Sequence, residues 1–186
     1  DRKGAPPPPP TDKPRAYFIT FTTYGTWLHG DDRGSVDPEH NRFGTPVLLG
    51  DEAKERAEFD RQKQPSTTLD SEARRVVQDT VLEVAQHRGW HVHAVHVRSN
   101  HVHVVIASAD EPEKVMGDLK SYATRRLREH GLADAEHRVW TRHGSTRYLW
   151  EPESVRLAQR YVVDGQGDAI DPPAYEDKAE LRAEAL

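Results

Sequence analysis

Residues 91–108 read HVHAVHVRSNHVHVVIAS, two runs of valine, alanine and histidine separated by the polar pair Ser99-Asn100. Side chains with a β-branch dominate both runs, which is typical of strands, and the polar pair is typical of a turn. Two strands joined so closely pair side by side and run antiparallel. The stretch therefore predicts two neighbouring strands of an antiparallel sheet.

These two strands carry five histidines, which makes them candidates for a metal site. Side chains alternate between the faces of a strand, so His101 and His103 share a face, as do His91 and His93, while His96 falls on the opposite face from the latter pair. Two imidazoles at this spacing can chelate one divalent cation, although an exposed polar face is the ordinary alternative. The polar turn and apolar strand around His101 and His103 favour this pair as ligands and the other three as structural or supporting residues.

A strand and a helix precede the histidine-rich strands. Aromatic and β-branched residues alternate over 16–24, which predicts a strand. The helix is predicted to begin at Asp70 or Ser71, since both are favourable N-cap residues, and to end at Gly89. Its apolar face repeats at helical spacing and comprises Ala73, Val76, Val77, Thr80, Val81 and Val84.

A second helix is predicted over about 111–130. Asp110 and Glu113 form a capping-box-like pair at its start, and Gly131 follows its end. The residues predicted to form its core stripe are Met116, Leu119, Ala123 and Leu127.

The last elements complete a recognisable order. The sequence RVWTRHGSTRYLW, residues 138–150, predicts a hairpin that turns at Gly144-Ser145, and ESVRLAQRYVV, residues 153–163, predicts a third helix. The order is strand, helix, strand, strand, helix, strand. It predicts an α+β fold of the ferredoxin-like βαββαβ type, an antiparallel sheet with helices packed mainly on one face.

The length of 186 residues favours one domain with two extensions. Residues 1–15 are rich in proline, and we expect a disordered arm there. The domain is predicted to span 16–163, with a loop insertion at about 28–68. Residues 164–186 form an acidic C-terminal tail, which we expect to be loosely structured.

Composition excludes several classes of protein. Cysteine is absent, which excludes disulfides, thiolate metal sites and cysteine nucleophiles. No apolar run approaches the length of a membrane span, and the N-terminal residues lack a signal-peptide pattern. We therefore expect a cytoplasmic protein with no membrane partner.

The net charge of −5 is unevenly distributed. Seven acids and two bases in 164–186 account for all of it, so the preceding residues sum to zero. Within them, 120–147 carries seven bases against three acids. Such a basic stripe is compatible with DNA binding, although a charge run is usually only a solvated surface. The candidate phosphate contacts are Lys120, Arg125, Arg126, Arg128, Arg142 and Arg147.

Tyr122 lies at the edge of the second helix's core stripe, with basic neighbours. A tyrosine there usually packs with its hydroxyl in water. We expect this helix to cover the sheet that carries the histidine pair, which would bring the phenol close to a metal-bound phosphodiester. A phenol so placed is a competent nucleophile. Tyr122 is therefore predicted to be the nucleophile, alone among the six tyrosines.

Four motifs in order give the chain a family resemblance. RSNHVHVVI is followed by LKSYATRRLREHG and then by VWTRHGSTRYLW and AQRYVV. Over residues 16–163 the chain resembles the single-tyrosine HUH transposases, and their REP-associated tyrosine transposase branch in particular. HUH stands for His, a bulky hydrophobic residue and His, which His101, Val102 and His103 match.

The resemblance implies a ferredoxin-like HUH transposase or nuclease domain that acts on single-stranded DNA at or beside hairpins. His101 and His103 would hold Mg²⁺ or Mn²⁺. Tyr122, by position, would attack phosphorus and form a 5′-phosphotyrosine, leaving a 3′-hydroxyl that can reverse the linkage. Some relatives are homodimers that place one chain's tyrosine at the other's histidines, whereas members of the REP-associated branch can be monomeric.

One residue departs from the family pattern. Related enzymes have Gln or Asn one turn after the tyrosine as a metal ligand, but Arg126 stands there, and a guanidinium cannot ligate a cation. His130 and Asp118 are candidate substitutes, and water is another.

Two alternatives stay open. The first is a domesticated, non-catalytic protein that binds DNA hairpins on the same fold, which Arg126 and the acidic balance favour. The second is a metal-dependent hydrolase of small phosphodiesters, which gives Tyr122 no role. A DNA–tyrosine adduct that survives SDS distinguishes the transposase from both.

Overall fold

The computed structural model describes residues 13–25 and 64–164, together with the backbone of residues 174–175. Most of the proline-rich arm, the predicted insertion and the acidic tail lie outside these residues, so the domain boundaries stay predictions. Among the helices described, none is long and apolar enough to cross a membrane.

The described residues form a five-stranded antiparallel sheet and three helices. The strand order is β4-β1-β3-β2-β5, and every neighbouring pair is antiparallel. The first four strands and two helices have the predicted ferredoxin-like βαββαβ order. In chain order, the elements are β1 (Ala16–Thr22), α1 (Ser71–Arg88), β2 (His91–Val97), β3 (His101–Ala107), α2 (Pro112–Glu129), β4 (Ser145–Leu149), α3 (Pro152–Asp164) and β5 (Ala174–Tyr175).

Helix α1 has the predicted caps. The Asp70 carboxylate accepts a hydrogen bond from the backbone N–H of Ala73 at 2.8 Å, which satisfies one of the helix's first amide donors. Gly89 ends the helix at φ 70°, a left-handed conformation that glycine adopts without steric cost. The predicted apolar face is buried, with Val76 partly so.

The two faces of the sheet are covered by different helices. On what we call the two-helix face, Val102, Val104 and Ile106 of β3 pack in one core with α1 and α2. On what we call the α3 face, Phe18 and Val105 pack against α3. Helices lie mainly on one face, as predicted, and α3 covers part of the other.

A β-bulge in β2 changes which face its histidines occupy. The pairing of β2 with β3 shifts register between Val92 and Ala94, and an extra residue in a strand reverses the alternation of its side chains. His91 therefore pairs with Ala107, and His96 pairs with His103. Since paired residues point to the same side, the prediction that His91 and His96 lie on opposite faces is wrong.

Helix α2 begins without the predicted capping box. Its N-cap is Glu111, which makes no side-chain cap hydrogen bond, and Pro112 follows at the first helical position. The Asp110 carboxylate instead accepts a hydrogen bond from the Trp90 indole at 3.1 Å. The Glu113 carboxylate accepts one from the Thr146 hydroxyl at 2.7 Å. Hydrogen bonds to residues distant in the sequence thus replace the predicted pairing of Asp110 with Glu113.

The predicted hairpin at 138–150 is also wrong. β4 pairs with β1, and Trp140 forms an isolated bridge with Thr23, just beyond the end of β1. The segment at Trp140 and strand β4 thus both pair with β1 or its extension instead of with each other. The edge of β1 offers backbone hydrogen-bond partners to both segments.

The short strand β5 lies within the predicted acidic tail. Its two residues pair with Ala94 and Val95 at the outer edge of β2. The expectation of a loosely structured tail is wrong for these two residues.

Candidate active site

The histidine pair lies on the α3 face at the start of β3. The ring centroids of His101 and His103 are 4.7 Å apart. In the neighbouring strand β1, Thr22 pairs with His101 and Thr20 pairs with His103. His103 is 6% exposed. The histidine pair therefore extends from a buried position in the sheet to the polar turn that precedes β3.

Hydrogen bonds at Nδ1 orient both rings. Nδ1 of His101 lies 2.7 Å from the Asn100 side-chain oxygen. Because that carbonyl oxygen only accepts, Nδ1 of His101 donates this bond, and in the neutral ring the lone pair is then on Nε2. Nδ1 of His103 lies 2.7 Å from the Thr20 hydroxyl, so Nε2 is the nitrogen turned away from this bond. Such partners fix the orientation of metal-binding imidazoles.

The protonation state of His103 suits metal binding. Burial lowers its pKa well below 6.5, and the neighbouring His101, His96 and Arg98 lower it further. The imidazole is therefore neutral at neutral pH, which is the form that ligates a cation.

The structure does not bring the two candidate substitutes for the third ligand to this pair. Asp118 pairs with Arg88 at 3.1 Å, and His130 is exposed at the end of α2. Within the described ranges, no three His, Cys, Asp or Glu side chains form a group that could hold a metal ion. Two imidazoles at this spacing can hold a divalent cation, and water or phosphate oxygens can then be its other ligands.

Tyr122 lies on the other side of the sheet from the histidine pair. It is partly buried against the core of the two-helix face and lines a groove between α1 and α2. The Arg125 guanidinium lies 4.6 Å from its ring centroid. Helix α2 covers the sheet that carries the histidine pair, as predicted, but it does so on the opposite face, because the valines that alternate with the histidines pack against it. The role of Tyr122 as nucleophile stays a prediction.

Tyr161 of α3 is the tyrosine that the structure brings to the pair. Its ring centroid lies 5.7 Å from that of His103 and 5.9 Å from that of Phe18. It is 41% exposed, so its hydroxyl can meet a ligand from solvent. The prediction that Tyr122 alone among the six tyrosines is the nucleophile left Tyr161 out, although the motif AQRYVV that contains it is part of the family resemblance.

Residues 61–161 match a family model described as Transposase IS200 like. The match covers more than half of the chain. The chain belongs to this family. The sequence-based identification as an HUH-type tyrosine transposase is confirmed, and the function of the family is DNA transposition.

Other comparisons are more distant. A solved structure described as the REP-associated tyrosine transposase bound to a REP hairpin aligns with a TM-score of 0.44 and 11% identity. The alignment covers 82% of this chain and 67% of that one. Among curated proteins, none matches the sequence.

Lys120 contacts the protein's own backbone. Its Nζ donates to the carbonyl oxygens of Thr141 and His143 at 3.0 and 2.8 Å. Burial lowers its pKa to about 8. Lys120 thus holds the segment before β4 against α2. Its predicted contact with DNA stays a prediction.

The arginines of α2 are also engaged within the protein. Arg126 pairs with Glu83 of α1 through contacts of 2.7 and 2.8 Å. Arg128 donates to the carbonyl oxygens of Asp134 and His137 at 3.2 and 3.1 Å. Arg126 therefore links α1 to α2.

The two remaining basic candidates differ in burial. Arg142 is exposed in the segment before β4. Arg147 is buried within β4, opposite Phe18, and so lies on the same face of the sheet as the histidine pair. The predicted basic stripe is thus divided between the two faces.

Proposed function

We propose that this chain is a metal-dependent transposase that cleaves and rejoins single-stranded DNA at or near hairpins through a 5′-phosphotyrosine, with Tyr161 as the nucleophile. The observation that carries the proposal is the 5.7 Å separation between the rings of Tyr161 and His103 on one face of the sheet. Membership of the IS200-like family supports DNA as the substrate.

The proposed reaction is an exchange of esters at phosphorus. The phenol oxygen of Tyr161 forms a bond to phosphorus, and the bond between phosphorus and the 3′-oxygen breaks. The phenol proton passes to water, and the departing oxygen takes a proton to become a 3′-hydroxyl. Attack by a 3′-hydroxyl reverses these steps, so rejoining needs no ATP.

The histidine pair is proposed to hold Mg²⁺ or Mn²⁺ through Nε2 of His101 and His103. A cation bound there would polarise the scissile phosphate. The Asn100 amide and the Thr20 hydroxyl hold the two rings in place. Burial keeps His103 neutral by lowering its pKa, so no proton has to leave before the cation binds.

The test compares two tyrosines in the same assay. The protein is incubated with Mn²⁺ and a DNA hairpin flanked by single strands, and SDS-stable adducts are separated on a gel. Tyr161→Phe removes one oxygen and should bind the hairpin but form no adduct. Tyr122→Phe is the matched control and should form adduct as the unchanged protein does.

The reverse result would return the nucleophile to Tyr122, acting on the histidines of a second copy. Hairpin binding without any adduct in the unchanged protein would instead support a domesticated DNA-binding protein. Cleavage that persists in both variants would point to attack by water and to a phosphodiester hydrolase.

A further inference from the structure

Arg147 occupies an unusual position for a charged side chain. It lies within β4 and pairs with Phe18 of β1, so both side chains point to the α3 face. Its side chain is buried, at 9% exposure. A guanidinium stays charged at any physiological pH.

Burying that charge is unfavourable unless an anion or a set of acceptors compensates for it. Three arginines elsewhere in the described residues have such partners. Arg88, Arg126 and Arg156 each have a carboxylate oxygen within 3.1 Å. Within residues 13–25 and 64–164, the side chain of Arg147 makes no hydrogen bond or ion pair. Its five N–H donors are thus available to a ligand.

The surroundings of Arg147 are those of the proposed active site. Its cross-strand neighbour Phe18 contacts the rings of both Tyr161 and His103, at 5.9 and 5.3 Å. Burial lowers the pKa of Arg147, and the nearby Tyr161 phenol raises it. Arg147 and His103 therefore lie on the two strands that flank β1, and the Tyr161 ring lies beside that of His103.

We propose that Arg147 binds the DNA phosphate that Tyr161 attacks, through the non-bridging oxygens of that phosphate; this inference rests on the proposed function. The planar guanidinium presents parallel N–H donors that match two phosphate oxygens. Because the side chain is already buried, it needs no reorganisation as charge develops at phosphorus. The phosphate supplies the negative charge that the described residues do not place beside the Arg147 guanidinium.

The test pairs a change in the protein with a change in the DNA. The scissile phosphate, mapped from the adduct, is replaced by a methylphosphonate, which lacks the negative oxygen. Binding is measured in the Tyr161→Phe background, where no cleavage interferes, with and without Arg147→Gln. Arg75→Gln is the matched control, since Arg75 is exposed on α1, on the other side of the sheet, and is not among the candidate phosphate contacts.

We expect Arg147→Gln to slow adduct formation about 100-fold or more, which is typical of losing one preorganised donor. The binding measurements compare two proteins, with and without Arg147→Gln, on two DNAs. Arg147→Gln should weaken binding of the DNA with the normal phosphate but leave binding of the methylphosphonate DNA almost unchanged. Arg147→Lys keeps the charge without the fork and should recover only part of the loss. It replaces Arg147→Gln if the latter does not fold, as judged by circular dichroism.

Equal weakening for the two DNAs would overturn the inference while leaving the proposed function intact. Failure of the unchanged protein to form any adduct would overturn the proposed function instead. In that case methylphosphonates are scanned along the single strand, and a position where Arg147→Gln has no further effect would still identify the bound phosphate. If no position behaves so, Arg147 does not bind a phosphate.

Discussion

The hydroxyl of Thr20 lies 2.7 Å from Nδ1 of His103, and Thr20→Val removes this contact while nearly preserving the volume of the side chain. His103 is only 6% exposed, so water does not readily replace the lost partner. An unpaired buried polar group costs about 1–3 kcal/mol. We therefore expect the free energy of unfolding to fall by about this amount, as measured by urea denaturation.

The same change should weaken metal binding. Loss of a hydrogen bond that orients a metal-binding imidazole typically lowers affinity about 10- to 100-fold. Mn²⁺ titration by calorimetry measures this loss. The matched control is Thr22→Val, because the Thr22 hydroxyl contacts the Thr141 hydroxyl at 2.9 Å instead of a histidine. It should lose stability but little Mn²⁺ affinity.

The refuting result is a Thr20→Val protein that binds Mn²⁺ as tightly as the unchanged protein does. The orientation of His103 by Thr20 would then have no part in metal binding. Equal and large losses in both variants would indicate that β1 had been distorted as a whole, and the two effects could be separated by comparing their unfolding free energies.

Two further predictions concern the segment before β4. A β-carbon on Gly144 would lie 2.5 Å from both the Thr20 carbonyl oxygen and the Met116 sulfur, so Gly144→Ala should cost about 1–3 kcal/mol in thermal unfolding; unchanged stability would contradict this packing. Burial lowers the pKa of Lys120 to about 8 from its ordinary 10.5. Between these values the unfolded chain binds more protons, so stability should rise with pH there. Lys120→Met should remove this rise, and an identical pH profile in both proteins would refute the assignment.

Local sequence patterns determined much of this protein. The caps of α1 at Asp70 and Gly89 follow from side-chain hydrogen bonding and backbone freedom within one turn. The alternation of His101 and His103 with valines put both imidazoles on one face of β3, and the order of elements gave the ferredoxin-like fold. Each of these features depends on residues within a few positions of one another, and so can be predicted from a single chain.

Packing between distant segments decided which side chains meet. The valines that alternate with the histidines pack against α2, so the histidine pair faces α3, and Tyr161 instead of Tyr122 lies beside it. The extra residue in the β-bulge of β2 brought His96 to the face of the sheet that carries His101 and His103. The partner of each strand face is the helix that buries the most apolar surface there, a property of the whole core that no local window of sequence contains.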